Sequence, residues 1–309
     1  MADMDCRNAF TGELLECARE DKTIFAVATD SRGSVTLTDF ANDLPQQFVE
    51  CGIAEQDAVG IAAGLANGGL RPFACGPACF YTLRSAEQVK VDVAYSHQNV
   101  KIFGVSGGIS YGALGSTHHS THDVALLRTI PGIEIYLPSD GRQTQALVRY
   151  LVKSDEPAYI RVGRGAVPVI YEDEVPCTPG KANKLREGKD VSIIACGEMV
   201  WHALKAAEKL AEKGVECAVW DMFSIRPLDV DAILEAAEAP LVVTLEEHSI
   251  HGGLGGAVSE VLIQQKPVPM MILGLPEENT YSGKSAEVLR HYGLDGQGVA
   301  EKILKKLNK

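Results

Sequence analysis

The stretch TIFAVATD, residues 23–30, decides the fold, because it is a short apolar run set between segments of helical periodicity. Similar apolar runs stand at residues 101–107, 133–140 and 158–163. Helical segments lie around them at residues 5–20, 53–66, 80–97 and 141–153. Continuous apolar strands separated by helices are typical of a mostly parallel sheet that is covered on both faces. The sequence therefore predicts an α/β fold.

The alternation stops at residues 167–190, which contain three prolines and many charges, and then begins again. Proline-rich charged stretches are typical of linkers. Beyond it, apolar runs at residues 191–197, 216–222, 240–247 and 269–275 predict strands, and residues 199–213, 229–239, 254–265 and 298–307 predict helices. We therefore expect two doubly wound domains, residues 1–166 and 190–309, joined by a linker at residues 167–189.

The composition excludes several classes of protein. The chain has 309 residues and a net charge of −12, whereas nucleic acids and anionic membranes are bound by basic surfaces. No apolar run approaches the ~20 residues of a membrane-spanning helix, and the N-terminus lacks the pattern of a secretory signal. Eight scattered cysteines without a C-x-x-C motif suit a reducing compartment. We expect a cytoplasmic protein without a nucleic-acid or membrane partner.

The first candidate ligand loop follows the predicted strand at residues 101–107. Ligands of open parallel sheets bind beyond the carboxyl ends of the strands. This loop, residues 106–123, is rich in glycine and contains His118, His119 and His122. Histidines transfer protons or bind metals near neutral pH. The spacing of His118 and His122 leaves a zinc site open, although no H-E-x-x-H is present, and histidines without a function are a further alternative.

Two other loops follow strands and carry polar side chains. Asp30 and Ser34 come after the first strand, where they could contact a polar ligand or form an ordinary turn. Arg161 and Arg164 end a later strand and could hold phosphate or carboxylate, or simply be solvated. The phosphate loop G-x-x-x-x-G-K-[ST], the G-x-S-x-G elbow and a G-D-G followed by asparagine are all absent from the sequence.

Several longer motifs occur in a fixed order along the chain. These are GIAEQDAVGIAAGLANGG (52–69), RSAEQVKVDVAY (84–95), GSTHHSTHDVALLRTIPGIEIYLPSD (115–140), EPAYIRVGRG (156–165), IRPLDVDAI (225–233) and EEHSIHGGLGGAVSE (246–260). Together they make the chain resemble the C-terminal half of a transketolase, a thiamine-diphosphate enzyme. The resemblance covers nearly the whole chain and implies a pyrimidine-binding domain followed by a transketolase C-terminal domain.

The resemblance implies a role for Glu55, which stands in the first turn of a predicted helix, where a carboxylate favourably faces the helix dipole. In the family this glutamate hydrogen-bonds a ring nitrogen of the cofactor's aminopyrimidine and so activates the cofactor. A two-carbon ketol unit then passes from a ketose to an aldose, with the cofactor as electron sink. The helix-start role and the catalytic role are compatible for the same side chain.

The resemblance assigns further residues one at a time. His118 matches the histidine that handles substrate oxygens, and His119 replaces a glutamine beside it. The sugar-phosphate contacts of the family fall on Arg7, Ser34 and Arg164. Close to the cofactor, Asp30 matches an acidic residue and Phe80 matches one aromatic residue of the pyrimidine pocket. No metal ligand is assigned to this chain.

Three positions depart from the family pattern. Pro77 replaces the aromatic residue three before Phe80, Leu114 replaces the acidic residue four before His118, and Ser106 replaces a histidine twelve before it. The replaced acidic residue and histidine contact the donor sugar in transketolases. The departures therefore predict either an imperfect alignment of this loop or an unusual donor.

The resemblance also implies a missing half. In the family, the diphosphate and its Mg²⁺ are bound by another domain, so we expect a separate N-terminal subunit, with two copies of each subunit in the assembly. Three alternatives remain open: a subunit of a deoxyxylulose-phosphate synthase or of a 2-oxoacid dehydrogenase, a non-catalytic partner subunit, and a zinc hydrolase.

Overall fold

The structure, a computed structural model, describes residues 3–172 and 175–308. Its strands are Asp3–Asp5 (β1), Ile24–Ala28 (β2), Phe48–Glu50 (β3), Arg71–Pro77 (β4), Lys101–Val105 (β5), Glu134–Tyr136 (β6), Ala158–Arg161 (β7), Ala166–Pro168 (β8), Asn183–Arg186 (β9), Val191–Ala195 (β10), Cys217–Asp221 (β11), Ser224–Arg226 (β12), Val242–Ser249 (β13) and Met270–Leu275 (β14).

Its α-helices are Cys6–Glu20 (α1), Thr38–Asp43 (α2), Glu55–Asn67 (α3), Ala78–Leu83 (α4), Ala86–Gln88 (α5), Asp123–Arg128 (α6), Gly141–Leu151 (α7), Met199–Ala211 (α8), Val230–Ala236 (α9), Leu254–Gln265 (α10), Ser285–His291 (α11) and Gly296–Lys306 (α12). Short 3-10 segments lie at Pro45–Gln47 and Gly112–Thr117, and Val89–Tyr95 is π-helical. None of the helices in the described part of the chain is long and apolar enough to cross a bilayer.

The first sheet has the strand order β12-β6-β7-β5-β4-β2-β3 and is parallel except for β12, which pairs antiparallel with β6. One face packs against α1 and α7, where the ring of Phe10 on α1 stacks on that of Phe103 on β5 with centroids 3.6 Å apart. The opposite face packs against α3 and α6 through residues such as Ala58 and Leu127. The predicted parallel sheet with helices on both faces is confirmed.

The second sheet has the order β14-β13-β10-β11-β9, with β9 antiparallel to β11 and the other strands parallel. Its two faces are covered by α8, α11 and α12 on one side and by α9 and α10 on the other. The apolar core under α9 and α10 continues into the core under α3 and α6 of the first sheet. The second domain is therefore doubly wound as well, and the two domains share one continuous core.

Several elements differ from the pattern expected from the sequence. Strand β9 lies inside the segment 167–189 expected to be a linker, and residues 173 and 174 of that segment lie outside the described residues, as do the termini 1–2 and 309. Strand β12, from the second half of the chain, completes the first sheet. The helix expected at residues 80–97 is divided between α4, α5 and the π-helical segment, and α11 was not expected.

Candidate active site

The candidate residues gather at one edge of the first sheet because β2, β3, β4, β5 and β7 are parallel and end there. Asp30 follows β2, Glu55 follows β3, Phe80 follows β4, His118 follows β5 and Arg164 follows β7. The carboxyl edge of a parallel sheet is where such folds bind ligands. The topology therefore places these side chains along the same edge. The sequence predicted strands before Asp30, His118 and Arg164, but not β3 before Glu55 or β4 before Phe80.

Glu55 is a buried carboxylate at the beginning of α3. It is 6% exposed, and the preceding residue, Ala54, offers no side-chain cap to the helix. Arg84 Nη1 donates to both carboxylate oxygens, each at 3.1 Å, and the Arg84 side chain is 49% exposed. A carboxylate in a first helical turn is stabilised by the helix dipole. Glu55 thus presents a buried hydrogen-bond acceptor, and within the described residues its side chain is bound by the solvent-accessible Arg84 alone.

An unbroken series of contacts runs from Glu55 to Arg164. The Arg84 guanidinium lies over the Phe80 ring, 3.8 Å from its centroid. The His118 ring meets Phe80 and Tyr111 edge-on, at centroid distances of 5.3 and 5.4 Å. Arg164 covers Tyr111 at 4.6 Å. The structure therefore brings Glu55, Phe80, His118 and Arg164 into one group, held together by Arg84 and Tyr111.

The two neighbouring histidines have different environments. His118 is half-buried, its Nδ1 is 2.9 Å from Thr117 Oγ1, and its Nε2 makes no hydrogen bond within the described residues. His119 is 3% exposed, and both of its ring nitrogens are engaged, Nδ1 with Thr280 Oγ1 at 2.5 Å and Nε2 with the Gly112 carbonyl at 3.2 Å. Burial lowers the pKa of His119. A substrate contact by His119 stays a prediction, and it would require the ring to leave these partners.

Arg7 and Ser34 lie together at the same edge of the sheet. Arg7, on α1, donates to the Ser34 carbonyl at 3.1 Å and to Asp5 Oδ2 at 2.6 Å. Asp30 is exposed, has a left-handed φ of +54°, and donates its N–H to Glu50 Oε1 at 2.6 Å. Arg164 keeps a buried Nη1 that has no hydrogen-bond partner in the described part of the chain. These positions suit polar or anionic groups of a ligand.

The three departures from the family pattern fall in this region. Pro77 is buried at the end of β4, directly before α4. Leu114 is 51% exposed on the Gly112–Thr117 segment. Ser106 is buried with a φ of +61°, and within residues 3–172 and 175–308 its hydroxyl has no partner. All three positions are therefore apolar or neutral.

The sequence left phosphate binding by Arg161 open. In the structure this side chain is 6% exposed and lies between the two domains. It donates to Asp123 Oδ1 at 3.2 Å and to the Glu247 carbonyl at 2.6 Å. Burial raises the pKa of Glu247 to about 7, and burial, with a smaller effect of the Glu247 charge, raises the pKa of Glu198 to about 8. This group of carboxylates, Asp123, Glu198 and Glu247, was not predicted from the sequence, because its members come from both domains.

Roles for Arg84, Tyr111 and Thr280 were not predicted from the sequence either. Arg84 could have been found, because it lies four residues after Phe80 and residues at that spacing share a helix face. Tyr111 lies inside the glycine-rich loop, residues 106–123. No sequence signal connects Thr280 to His119, because they are 161 residues apart. As for zinc, among residues 3–172 and 175–308 no three His, Cys, Asp or Glu side chains are placed to hold a metal ion.

Comparison with known families matches both halves of the chain. The profile described as "Transketolase, pyrimidine binding domain" matches residues 2–169, and "Transketolase, C-terminal domain" matches residues 180–299. One of the subunits of the apulose-4-phosphate transketolase of Phocaeicola vulgatus is 59% identical over 98% of this chain and 98% of its own length.

Two further relatives match over most of their lengths. The 6-deoxy-6-sulfo-D-fructose transketolase subunit SqwH of a Clostridium species is 38% identical over 95% of this chain and 91% of its own. A solved structure, "Split gene transketolase, inactive beta4 tetramer", superposes with a TM-score of 0.91 at 36% identity and covers 99% of both chains. In contrast, the chain spans only 46% of the 1-deoxy-D-xylulose-5-phosphate synthase 1 of Geobacter sulfurreducens, to which it is 36% identical.

Proposed function

The chain belongs to the transketolase family, as its motifs predicted, and from that membership we propose that it is the C-terminal subunit of a split transketolase. The complex transfers a two-carbon ketol unit from a ketose, or its phosphate, to an aldose, or its phosphate. The observation that carries the proposal is the contiguous group of Glu55, Phe80 and His118 at the ligand-binding edge of the sheet.

The residues of this group fit the aminopyrimidine of thiamine diphosphate. A buried carboxylate, Glu55, and a half-buried aromatic ring, Phe80, both contact Arg84, which is solvent-accessible and can be displaced. Glu55 would hydrogen-bond the pyrimidine nitrogen, and Phe80 would pack against the ring. When bound, the cofactor supplies the electron sink for cleaving a carbon–carbon bond next to a carbonyl.

Other side chains of the chain handle the sugar. The Nε2 of His118, which has no hydrogen-bond partner in the described part of the chain, can exchange a proton with a substrate hydroxyl or donate to a carbonyl oxygen. Arg164, with a buried N–H group unpaired within the described residues, and the linked Arg7 and Ser34 would hold a phosphate. Asp30, at the end of β2, would lie near the cofactor.

We place the diphosphate and Mg²⁺ on an N-terminal partner subunit and propose an assembly with two copies of each subunit. The solved split-gene relative, named as an inactive beta4 tetramer, supports the need for a partner, since that name joins lack of activity to an assembly of one chain type. The cytoplasmic location stays a prediction.

The donor is proposed from the relatives and from the altered loop. The Phocaeicola subunit is named for apulose 4-phosphate, and the Clostridium subunit for a sulfonated deoxyfructose. The neutral side chains of Leu114 and Ser106 also suit a donor other than the common pentose phosphate. We therefore propose a phosphorylated ketose, with apulose 4-phosphate as the first to test.

The test reconstitutes the chain with its N-terminal partner, thiamine diphosphate and Mg²⁺, and measures transfer from apulose 4-phosphate, xylulose 5-phosphate or the sulfonated ketose to an aldose. Pyruvate in place of the ketose tests the 2-oxoacid dehydrogenase and deoxyxylulose-phosphate synthase alternatives. We expect ketol transfer by the complex and none by the chain alone. Full activity of the chain alone, or activity only with pyruvate, would contradict the proposal.

A further inference from the structure

A loop of the second domain, residues 276–284 between β14 and α11, lies directly on the glycine-rich loop that carries His118. Ser116 Oγ donates to the Thr280 carbonyl at 3.0 Å, and the N–H of Gly283 donates to the Gly112 carbonyl at 3.4 Å. The approach is so close that a Cβ added at Gly115 would be 2.3 Å from Ser282 Oγ. The two loops therefore pack closely against each other.

His119 is fixed in one tautomer between these loops. Its Nε2 faces the Gly112 carbonyl at 3.2 Å, and a carbonyl oxygen only accepts, so Nε2 carries the hydrogen. Burial lowers the pKa of the ring, which favours the neutral form. In a neutral imidazole the other nitrogen is an acceptor, so the hydroxyl of Thr280 donates to Nδ1 across 2.5 Å.

The next residue toward the site is His118. Its N–H and that of His119 both donate to the Gly115 carbonyl, at 2.9 and 3.1 Å, so the two histidines share one tight turn. Gly115 has a φ of +72°, which favours glycine. A change in the position of the His119 ring would therefore move the backbone that aims His118 at Phe80 and Tyr111.

We propose that Thr280 is a positioning residue of the active site: its hydroxyl locks His119 and thereby sets the orientation of His118. Thr280 thus acts on the reaction through its hydrogen bond to His119, without contacting the substrate. The proposal rests on the proposed function for its kinetic test, but the state of the His119 ring is measurable without turnover.

The kinetic test uses the reconstituted complex with Thr280→Val, which keeps the shape of the side chain and removes the hydroxyl. Losing this bond leaves a buried acceptor unsatisfied, so we expect kcat to fall about tenfold, equivalent to about 1.4 kcal/mol, with little change in KM. Thr280→Ser restores the hydroxyl and should return kcat to within about twofold of the wild type. The matched control is Thr244→Val in β13, where the buried hydroxyl has no partner within the described residues.

The structural test is ¹⁵N NMR of the histidine side chains in the complex. We expect the His119 ring to be neutral and protonated on Nε2 in all three proteins, because the Gly112 carbonyl fixes that tautomer. The ¹⁵N resonance of Nδ1 should match the wild type in Thr280→Ser and shift in Thr280→Val, where this nitrogen loses its hydrogen-bond donor. If Thr280→Val leaves either kcat or the Nδ1 resonance at its wild-type value, the proposal is wrong. A wild-type complex without ketol transfer would refute the proposed function alone, and the Nδ1 resonance would then decide the role of Thr280.

Discussion

Replacing Glu247 by glutamine should make the protein more stable at alkaline pH than the wild type. Glu247 is 8% exposed, and its Oε1 accepts the N–H of Ile109 at 2.7 Å, a bond that a glutamine oxygen can keep. Burial is the largest cause that raises its pKa from 4.5 to about 7. The substitution removes the ionisable group while preserving its shape and this hydrogen bond.

The direction of the pH effect follows from the protonation of Glu247 in the folded and unfolded states. Below the unfolded pKa of 4.5, Glu247 is protonated in both states and contributes nothing to the pH dependence. Between 4.5 and about 7 the unfolded chain loses this proton while the folded chain keeps it, so stability falls as pH rises. Above about 7 both states are ionised and the loss is complete.

The gain in the free energy of unfolding from Glu247→Gln has an upper limit. A pKa difference of one corresponds to ~1.36 kcal/mol. The rise from 4.5 to about 7 therefore lowers the free energy of unfolding at alkaline pH by at most roughly 3 kcal/mol. Relaxation around the ionised group reduces this, and we expect ~1–2 kcal/mol. Removing the Glu247 charge also lowers the pKa of the neighbouring Glu198, which acts in the same direction.

The assay is urea denaturation at about pH 5 and about pH 8, followed by tryptophan fluorescence. The free energy of unfolding of Glu247→Gln, relative to the wild type, should be larger at the higher pH. The control is Glu20→Gln, which neutralises an exposed carboxylate on α1 and should show no comparable change. The same relative stability at both pH values would mean that Glu247 is ionised in the folded protein, which refutes the reasoning.

Three further predictions concern the site. Arg84→Met should lower the free energy of unfolding by about 1 kcal/mol, because it leaves the buried carboxylate of Glu55 without its partner, a result that urea denaturation checks. Gly115→Ala should lower the melting temperature, since its φ is +72°, whereas Gly60→Ala on the exposed face of α3 should raise it. Arg164→Lys should raise KM for a phosphorylated sugar about tenfold and leave kcat and the KM of the unphosphorylated sugar nearly unchanged. Equal melting shifts for the two alanine variants, or equal KM changes for both sugars, would contradict these expectations.

Most buried strands of both domains could be predicted from the sequence because each is a continuous apolar run. Strands β2, β5, β7, β10 and β11 lie inside such runs. Strand β4 is also buried but was not predicted, because glycine and two prolines interrupt its apolar residues. The order of strands could not be predicted, because it depends on pairing between distant segments. Strand β12 shows this: Ser224 pairs with Tyr136 of the first sheet, although it lies far along the chain in the second half.

The candidate site could be predicted only where a motif marks a residue. Glu55 and His118 stand in such motifs, and the topology brings their loops to one edge of the sheet. Arg84 begins the motif RSAEQVKVDVAY but was assigned no role, and Thr280 stands in no motif. The importance of both depends on contacts made by folding, with Glu55 at 3.1 Å and with His119 at 2.5 Å. Contacts between distant segments, within the first domain for Arg84 and between the domains for Thr280, are the part of the site that local patterns do not encode.

The role of Glu55 is tested most directly by kcat of the reconstituted complex that carries Glu55→Gln, measured at the same bound-cofactor content as the wild type. Glutamine keeps the size of the side chain but cannot supply the negative charge that a proton-transfer role requires. Such groups contribute typically 10²–10⁴-fold, so we expect kcat to fall by roughly that factor. A complex that keeps kcat within about twofold of the wild type would contradict the catalytic role of Glu55.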